Sequence, residues 1–125
     1  MLTCINYFQD NLLITSEFLA LSIQVNPVII RKITGQLKSA GMINITRGRG
    51  GMTLAKPLEK ISLYDVYKAV ECVSGSLFHF HENPNPACPV GKNIHNALDG
   101  TLNEIQKTFE DKLKTFTVKD IAEKI

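Results

Sequence analysis

The stretch QVNPVIIRKITGQLKSAGM, residues 24–42, constrains the fold more than any other, because it marks both ends of a helix and both of its faces. Asn26 is a strong N-cap, and Pro27 at the first helical position gives up only an amide that has no partner there. Gly41 suits the C-terminal stop. Between them Ile30, Ile33, Leu37 and Ala40 recur at helical spacing and predict one apolar face. Val28, Arg31, Lys32, Gly35 and Gln36 fall on the opposite face, so two cations share a surface with an exposed valine and a glycine. Gly35 costs about 1 kcal/mol of helix stability relative to alanine and lets a neighbouring surface come close.

Upstream, MLTCINYF predicts a short helix that stops near Asp10 and Asn11. Thr15, Ser16 and Glu17 then read as a helix start, with a hydroxyl cap and an acid in the first turn. That helix, over residues 17–22, turns Phe18, Leu19 and Ile23 toward a core. Two short helices joined by residues 23–25 fit a helix-turn-helix, and equally a plain helical hairpin with a solvated face. Downstream, Ile43 and Ile45 alternate with Asn44 and Thr46, and Met52 and Leu54 alternate about Thr53. This predicts a β-hairpin with residues 47–51 at its tip. Gly48, Gly50 and Gly51 let the tip lie against a surface, and Arg47 and Arg49 project from it with nothing to bury them. A winged helix explains the basic helix and the glycine-rich tip together, with the second helix in the major groove and the wing along phosphates or in the minor groove.

Charge distribution points the same way. Residues 1–60 hold seven Lys and Arg against three Asp and Glu, whereas residues 61–125 hold seven against nine. The first half therefore suits a polyanionic partner and the second does not. All three arginines of the chain, Arg31, Arg47 and Arg49, lie within nineteen residues, and arginine is the side chain best suited to guanine edges and phosphates. A hydrophobic content of 44% with 21% charged residues is that of a globular domain. No apolar run approaches the roughly 20 residues needed to span a bilayer, and no leader pattern precedes a cleavage site, so a cytoplasmic protein without membrane association is expected. Cys4, Cys72 and Cys88 do not look like a disulfide framework.

In ISLYDVYKAVE, Ser62 and Asp65 predict a capping box with Ile61 and Val66 as its hydrophobic staple. Leu63, Val66, Tyr67 and Val70 read as core, and helical spacing makes Tyr64 and Tyr67 packing residues rather than stacking platforms. The proline-rich HFHENPNPACPVG, residues 79–91, reads as an ordered loop. Ile94, Leu98, Leu102, Ile105, Phe109 and Leu113 then mark a helix of about twenty residues with a narrow apolar stripe, suited to packing on its copy in a second chain. Thr117 and Asp120 cap a last short helix, with Phe116 and Ile121 as its staple. The expected architecture is mainly α with a small β-hairpin: a winged helix-turn-helix DNA-binding domain over residues 1–75, then a loop, a long dimerisation helix and a C-terminal helix over residues 76–125.

No catalytic constellation or phosphate-cradling loop is present, so the chain is not expected to be an enzyme, and no cofactor is expected. Cys88 is a candidate thiol sensor, with Lys92, His79 and His81 as the nearby cations; an inert cysteine is the plainer reading. Cys72, beside Val70 and Val73, reads as a small core residue. His79, His81 and Cys88, with Glu82 or His95, can be drawn as metal ligands, but zinc sites present tighter paired spacing, and no metal site is expected. The rival to a DNA-binding regulator is a winged-helix interaction module that docks an acidic partner, such as a metabolic enzyme.

TSEFLA, NPVIIRKI with LKSAGMI, RGRGG followed by LAKP, and ISLYDVYKAVE, in this order, resemble the bacterial winged-helix regulators that include IscR, NsrR and CymR (the Rrf-two family). ENPNPACPVGKNIHNALD resembles the YwnA-type branch in particular. The resemblance implies a homodimeric transcription factor, usually a repressor, that binds double-stranded DNA. It carries DNA contacts onto Asn26, Val28, Arg31, Lys32 and Gln36 of the helix and Arg47, Gly48 and Arg49 of the wing. It carries dimerisation onto Ile94, Leu98, Leu102, Ile105 and Phe109. Relatives with an iron–sulfur cluster hold it with three closely spaced cysteines before the long helix, and here Cys88 stands alone in that loop. Family members also have a longer first helix, so this one is expected to be short or to start upstream.

Overall fold

The computed structural model describes residues 1–46, 51–70, 77–78 and 83–125. The helices are α1 (Leu2–Phe8), α2 (Ser16–Ile23), α3 (Pro27–Ser39), α4 (Leu63–Ala69), α5 (Pro89–Lys114) and α6 (Val118–Ala122), with a 3-10 turn at Leu58–Lys60. Strands β1 (Ile43–Thr46) and β2 (Gly51–Leu54) pair antiparallel, Ile43 opposite Leu54 and Thr46 opposite Gly51. The fold is thus mostly helical, with one hairpin directly after α3.

Local chemistry sets most boundaries. The Thr15 hydroxyl accepts from the Phe18 amide and starts α2. The Asn26 side chain accepts from the Val28 amide and starts α3, with Pro27 behind it. Gly41, at φ +67°, leaves the end of α3 in the left-handed region. Between α2 and α3, Gln24 takes φ 57°, and its neighbour's amide (Val25 N–H) bonds the Ala20 carbonyl. Reciprocal capping boxes at Ser62 and Asp65, and at Thr117 and Asp120, open α4 and α6.

Leu2, Ile5, Ile14, Leu19, Ala20, Ile30, Leu37, Met42, Ile43, Met52, Leu58, Ile61 and Val118 form one buried cluster. Each large aliphatic side chain there contributes about 1.5–3 kcal/mol on burial. Phe18 and Ile23 pack on this cluster part-buried, as do Leu63, Val66 and Val70 of α4. The apolar face of α3 differs from the expected one at two positions. Thr34 is buried where no polar residue was foreseen, because its hydroxyl is satisfied by the Ile30 and Arg31 carbonyls. Ala40 is exposed, since it lies at the C-cap, beyond the last helical residue.

Helix α5 also begins earlier than expected. Residues 89–91 are its first turn rather than loop, because Pro89 occupies the first helical position, where proline is tolerated. None of its 26 residues is buried. It touches the rest of the chain through Tyr67, whose ring meets Phe109 edge-on with centroids 5.9 Å apart, and through Lys114, whose ammonium lies 4.7 Å from the Tyr64 ring centroid. Residue Gln106 accepts from the Leu77 amide at 3.0 Å. Past α5 the chain returns: the Leu63 amide bonds Phe116 O at 2.9 Å, and the Val118 amide bonds Ile61 O at 2.8 Å. Val118 thereby enters the core built by residues 2–61.

Strand β2 of the hairpin, with the residue after it, is held at three points along its length. The Met52 amide bonds Ile14 O, the Leu54 amide bonds Gln9 Oε1, and the Ala55 amide bonds Met42 O, each at 2.9 Å. Gly51 makes this possible, with φ +61° and space for a Cβ only at 2.9 Å from Leu13 Cδ1 and 3.0 Å from Ile14 O. Gly51→Ala combines a left-handed alanine with a backbone collision and is expected to destabilise the protein by about 1–3 kcal/mol. Gly35 has open space around its Cβ position, so Gly35→Ala is expected to stabilise it by up to about 1 kcal/mol. Thermal unfolding of the two variants checks the opposite signs; an unchanged or raised Tm for Gly51→Ala contradicts this account of how the hairpin is anchored.

Candidate nucleic-acid interface

Helix α3 presents its outer face to solvent along its length. Val28 is 67% exposed, and Ile29, Arg31, Lys32, Gly35, Lys38 and Ser39 are exposed with it. Helical geometry puts Val28, Gly35 and Ser39 on one line, with Arg31 and Lys38 along one edge and Lys32 along the other. Lys38 and Ser39 were not singled out from sequence; their exposure follows from the seven- and eleven-residue offsets from Arg31 and Val28. The face combines two apolar side chains, three cations and a glycine without a barrier of bulky side chains. A groove floor can approach such a surface closely.

The predicted residues fall into three groups. Val28, Arg31 and Lys32 are brought together on this face. Asn26 is exposed at its N-terminal end, but its Oδ1 is already engaged as the helix cap at 2.8 Å from the Val28 amide, which leaves its Nδ2 donors. Gln36 departs from the sequence expectation of an exposed position. It is half-buried at the seam with α4, and its Nε2 donates to the Val70 carbonyl at 3.2 Å, satisfying the last turn of that helix. Arg47, Gly48 and Arg49 lie outside the described residues. The strands on either side of them are described, so the place where the tip leaves the fold is fixed by Thr46 and Gly51.

Electrostatics on the face are dominated by one contact. Arg31 Nη2 donates to Glu17 Oε1 at 2.7 Å, tying α3 to the first turn of α2, and both side chains remain more than half exposed (58% and 63%). The hydrogen bond from Arg31 is the main cause that holds the Glu17 carboxyl below its ordinary pKa, so it is ionised at neutral pH. Sequence reading assigned Glu17 only to the first turn of its helix. The signal for the pair is the single acid of residues 11–58 placed across a tight turn from Arg31.

The predicted stripe of α5 lies on the surface. Ile105 and Phe109 are 49% and 43% exposed, and Ile94, Leu98 and Leu102 are half-buried. Cys88 is exposed at the N-cap position of α5. The backbone amides of Gly91 and Val90 favour its thiolate and lower the thiol's pKa, a cause that the sequence reading, which looked for cations, did not include. Cys72, His79, His81 and Glu82 lie outside the described residues. No helix in the described residues is long and apolar enough to cross a membrane.

Residues 1–124 match the Rrf2 family, described as iron-dependent transcriptional regulators. The chain is 43% identical over 107 residues to YwnA of Bacillus subtilis (strain 168), which is named as an HTH-type transcriptional regulator; the match covers 86% of this chain and 80% of YwnA. A solved structure described as a transcriptional regulator from Lactobacillus plantarum superposes with a TM-score of 0.77 at 26% identity, over 96% of this chain and 83% of that one. Another, described as a DNA-binding protein, superposes with a TM-score of 0.68 at 37% identity, over 86% and 82% of the two chains. Iron would need a convergent ligand set, and among the described residues no three of His, Cys, Asp or Glu could hold a metal ion. The described residues therefore do not fit a bound iron. The capped helix pair, the hairpin locked behind it and the family match over residues 1–124 agree, and the chain belongs to the Rrf2 family of transcriptional regulators.

Proposed function

We propose that this chain is a homodimeric, sequence-specific DNA-binding repressor of the cytoplasm. Helix α3 enters the major groove and offers Asn26, Val28, Arg31 and Lys32 to the bases and flanking phosphates. The wing lays Arg47, Gly48 and Arg49 on the adjacent backbone or minor groove. Gln36 borders this surface and keeps α4 seated against α3. Residues 1–75 carry the DNA-binding work, with α6 folded onto them, and residues 76–125 carry the partner contact. The observation that carries the reading is a basic, otherwise unobstructed helix face flanked by a hairpin whose second strand is pinned to the same backbone that starts α2.

The second subunit follows from α5. A helix of 26 residues without a buried side chain is poorly supported by its own chain, since isolated helices gain most of their stability from packing an apolar face. Ile94, Leu98, Leu102, Ile105 and Phe109 packed against their copies supply that burial. Twofold symmetry then implies a palindromic operator with half-sites about 10–10.5 bp apart. Leu98→Glu is expected to shift the protein to monomers in sedimentation velocity and to weaken operator binding at least tenfold. A variant that stays dimeric removes this interface.

Selecting duplexes from a random library tests the whole reading, because a protein-docking module enriches no sequence. On the enriched site, Arg31→Ala is expected to cost about 1–3 kcal/mol and to relax preference at one base position. Arg47→Ala is expected to weaken binding to most sequences and to flatten the salt slope by about one unit. Equal slopes for Arg47→Ala and the parent would overturn the wing's role.

Cys88 is the candidate sensor thiol, exposed and activated by helix-start amides. Its depressed pKa means a larger thiolate fraction at neutral pH. Iodoacetamide labelling is therefore expected to show one site titrating below an ordinary thiol, lost in Cys88→Ser. Peroxide is expected to change operator affinity in the parent and not in Cys88→Ser.

A further inference from the structure

Glu17 is hard to reconcile with a surface built for a polyanion. It is the single acid in residues 11–58, a stretch that holds six Lys and Arg. Yet its carboxylate is seated 2.7 Å from the guanidinium of the single arginine on α3. The other ion pairs among the described residues, His95 with Asp99, Lys114 with Asp111 and Lys119 with Glu123, each join residues three or four apart along one helix. Only the Glu17–Arg31 pair among them bridges two helices, and it bridges the two helices of the helix-turn-helix. Plain stitching is a weak explanation, because exposed ion pairs contribute little to stability.

The geometry suggests a different use. A guanidinium has five N–H donors in a planar fork. Glu17 takes one from Nη2, which fixes the plane of the fork and leaves donors for a bidentate contact to guanine O6 and N7. The same carboxylate opposes a phosphate at that place, because two anions would share one cation. We propose that Glu17 is a specificity-determining positioning residue: its carboxylate orients Arg31 for a guanine edge and penalises the alternative contact to the DNA backbone. Glu17 thereby lowers affinity for arbitrary duplex and raises discrimination. This rests on the reading of α3 as the groove-entering helix.

The test compares Glu17→Gln, Arg31→Ala and the double variant of the full chain. The probes are the selected duplex, a scrambled duplex, and the selected duplex carrying 7-deazaguanine at the position that Arg31→Ala relaxes. In Glu17→Gln the scrambled duplex is expected to bind more tightly, with a salt slope steeper by about one unit. The ratio of selected to scrambled affinity is expected to fall at least about fivefold, the lower end of what one bidentate base contact discriminates. The penalty from 7-deazaguanine is expected to shrink in Glu17→Gln, and Glu17→Gln is expected to have no effect when Arg31 is already alanine. A merely structural tie moves Tm and none of these readouts. If the parent discriminates between duplexes and Glu17→Gln discriminates equally, this proposal fails and the DNA-binding reading stands. If the parent shows no preference for any duplex, both fall together.

Discussion

Both features that face outward on this protein are registered against one peptide unit. Ile14 is buried, its carbonyl receives the Met52 amide of β2, and the next residue, Thr15, caps α2. The start of the helix-turn-helix and the second strand of the hairpin therefore cannot move independently. A backbone hydrogen bond to a buried residue is a stiffer link than a side-chain contact, because it leaves no rotamers to sample. The tolerance for this closeness comes from Gly51, whose missing side chain admits the Leu13 side chain and the Ile14 backbone. The placement of the hairpin relative to the helix pair is set here, away from the exposed face of α3.

How far the fold was legible in the sequence depended on whether a signal was local. Asn26-Pro27, Ser62 with Asp65, and Thr117 with Asp120 each satisfy orphan helix amides within three residues, so their chemistry is visible in order along the chain. The alternation of residues 43–46 and 51–54 likewise reports which side of a strand is buried. What was not legible depends on partners far apart. Gln36 looks exposed until α4 is laid beside it, and Glu17 looks like a first-turn acid until Arg31 of α3 meets it; Thr34, by contrast, is satisfied by carbonyls three and four residues back in its own helix. Pro89 falls in a proline-rich stretch without helical or strand periodicity and so reads as loop, whereas here it begins a helix.

The site shows the same division. The basic face of α3 could be read from spacing alone, since helical periodicity assigns Arg31 and Lys32 to one side without any tertiary knowledge. The state of those cations could not. Arg31 carries an anion already in place, and that contact turns a question about charge into one about direction. Helix α5 poses the complementary case. Its stripe was evident from the four- and three-residue steps, and the structure adds that its own chain covers little of it.

The return of the chain after α5 has a consequence for biosynthesis. Val118 and Ala122 pack on a cluster whose other members come from residues 2–70, and residues 61–63 hydrogen-bond with residues 116–118. A nascent chain that has made every element of the helix-turn-helix still lacks the piece that shelters Ile61. Until residue 118 leaves the ribosome, that apolar surface stays open to water and to chaperones. Closure of this core thus waits on α6, which is made only after the whole of α5.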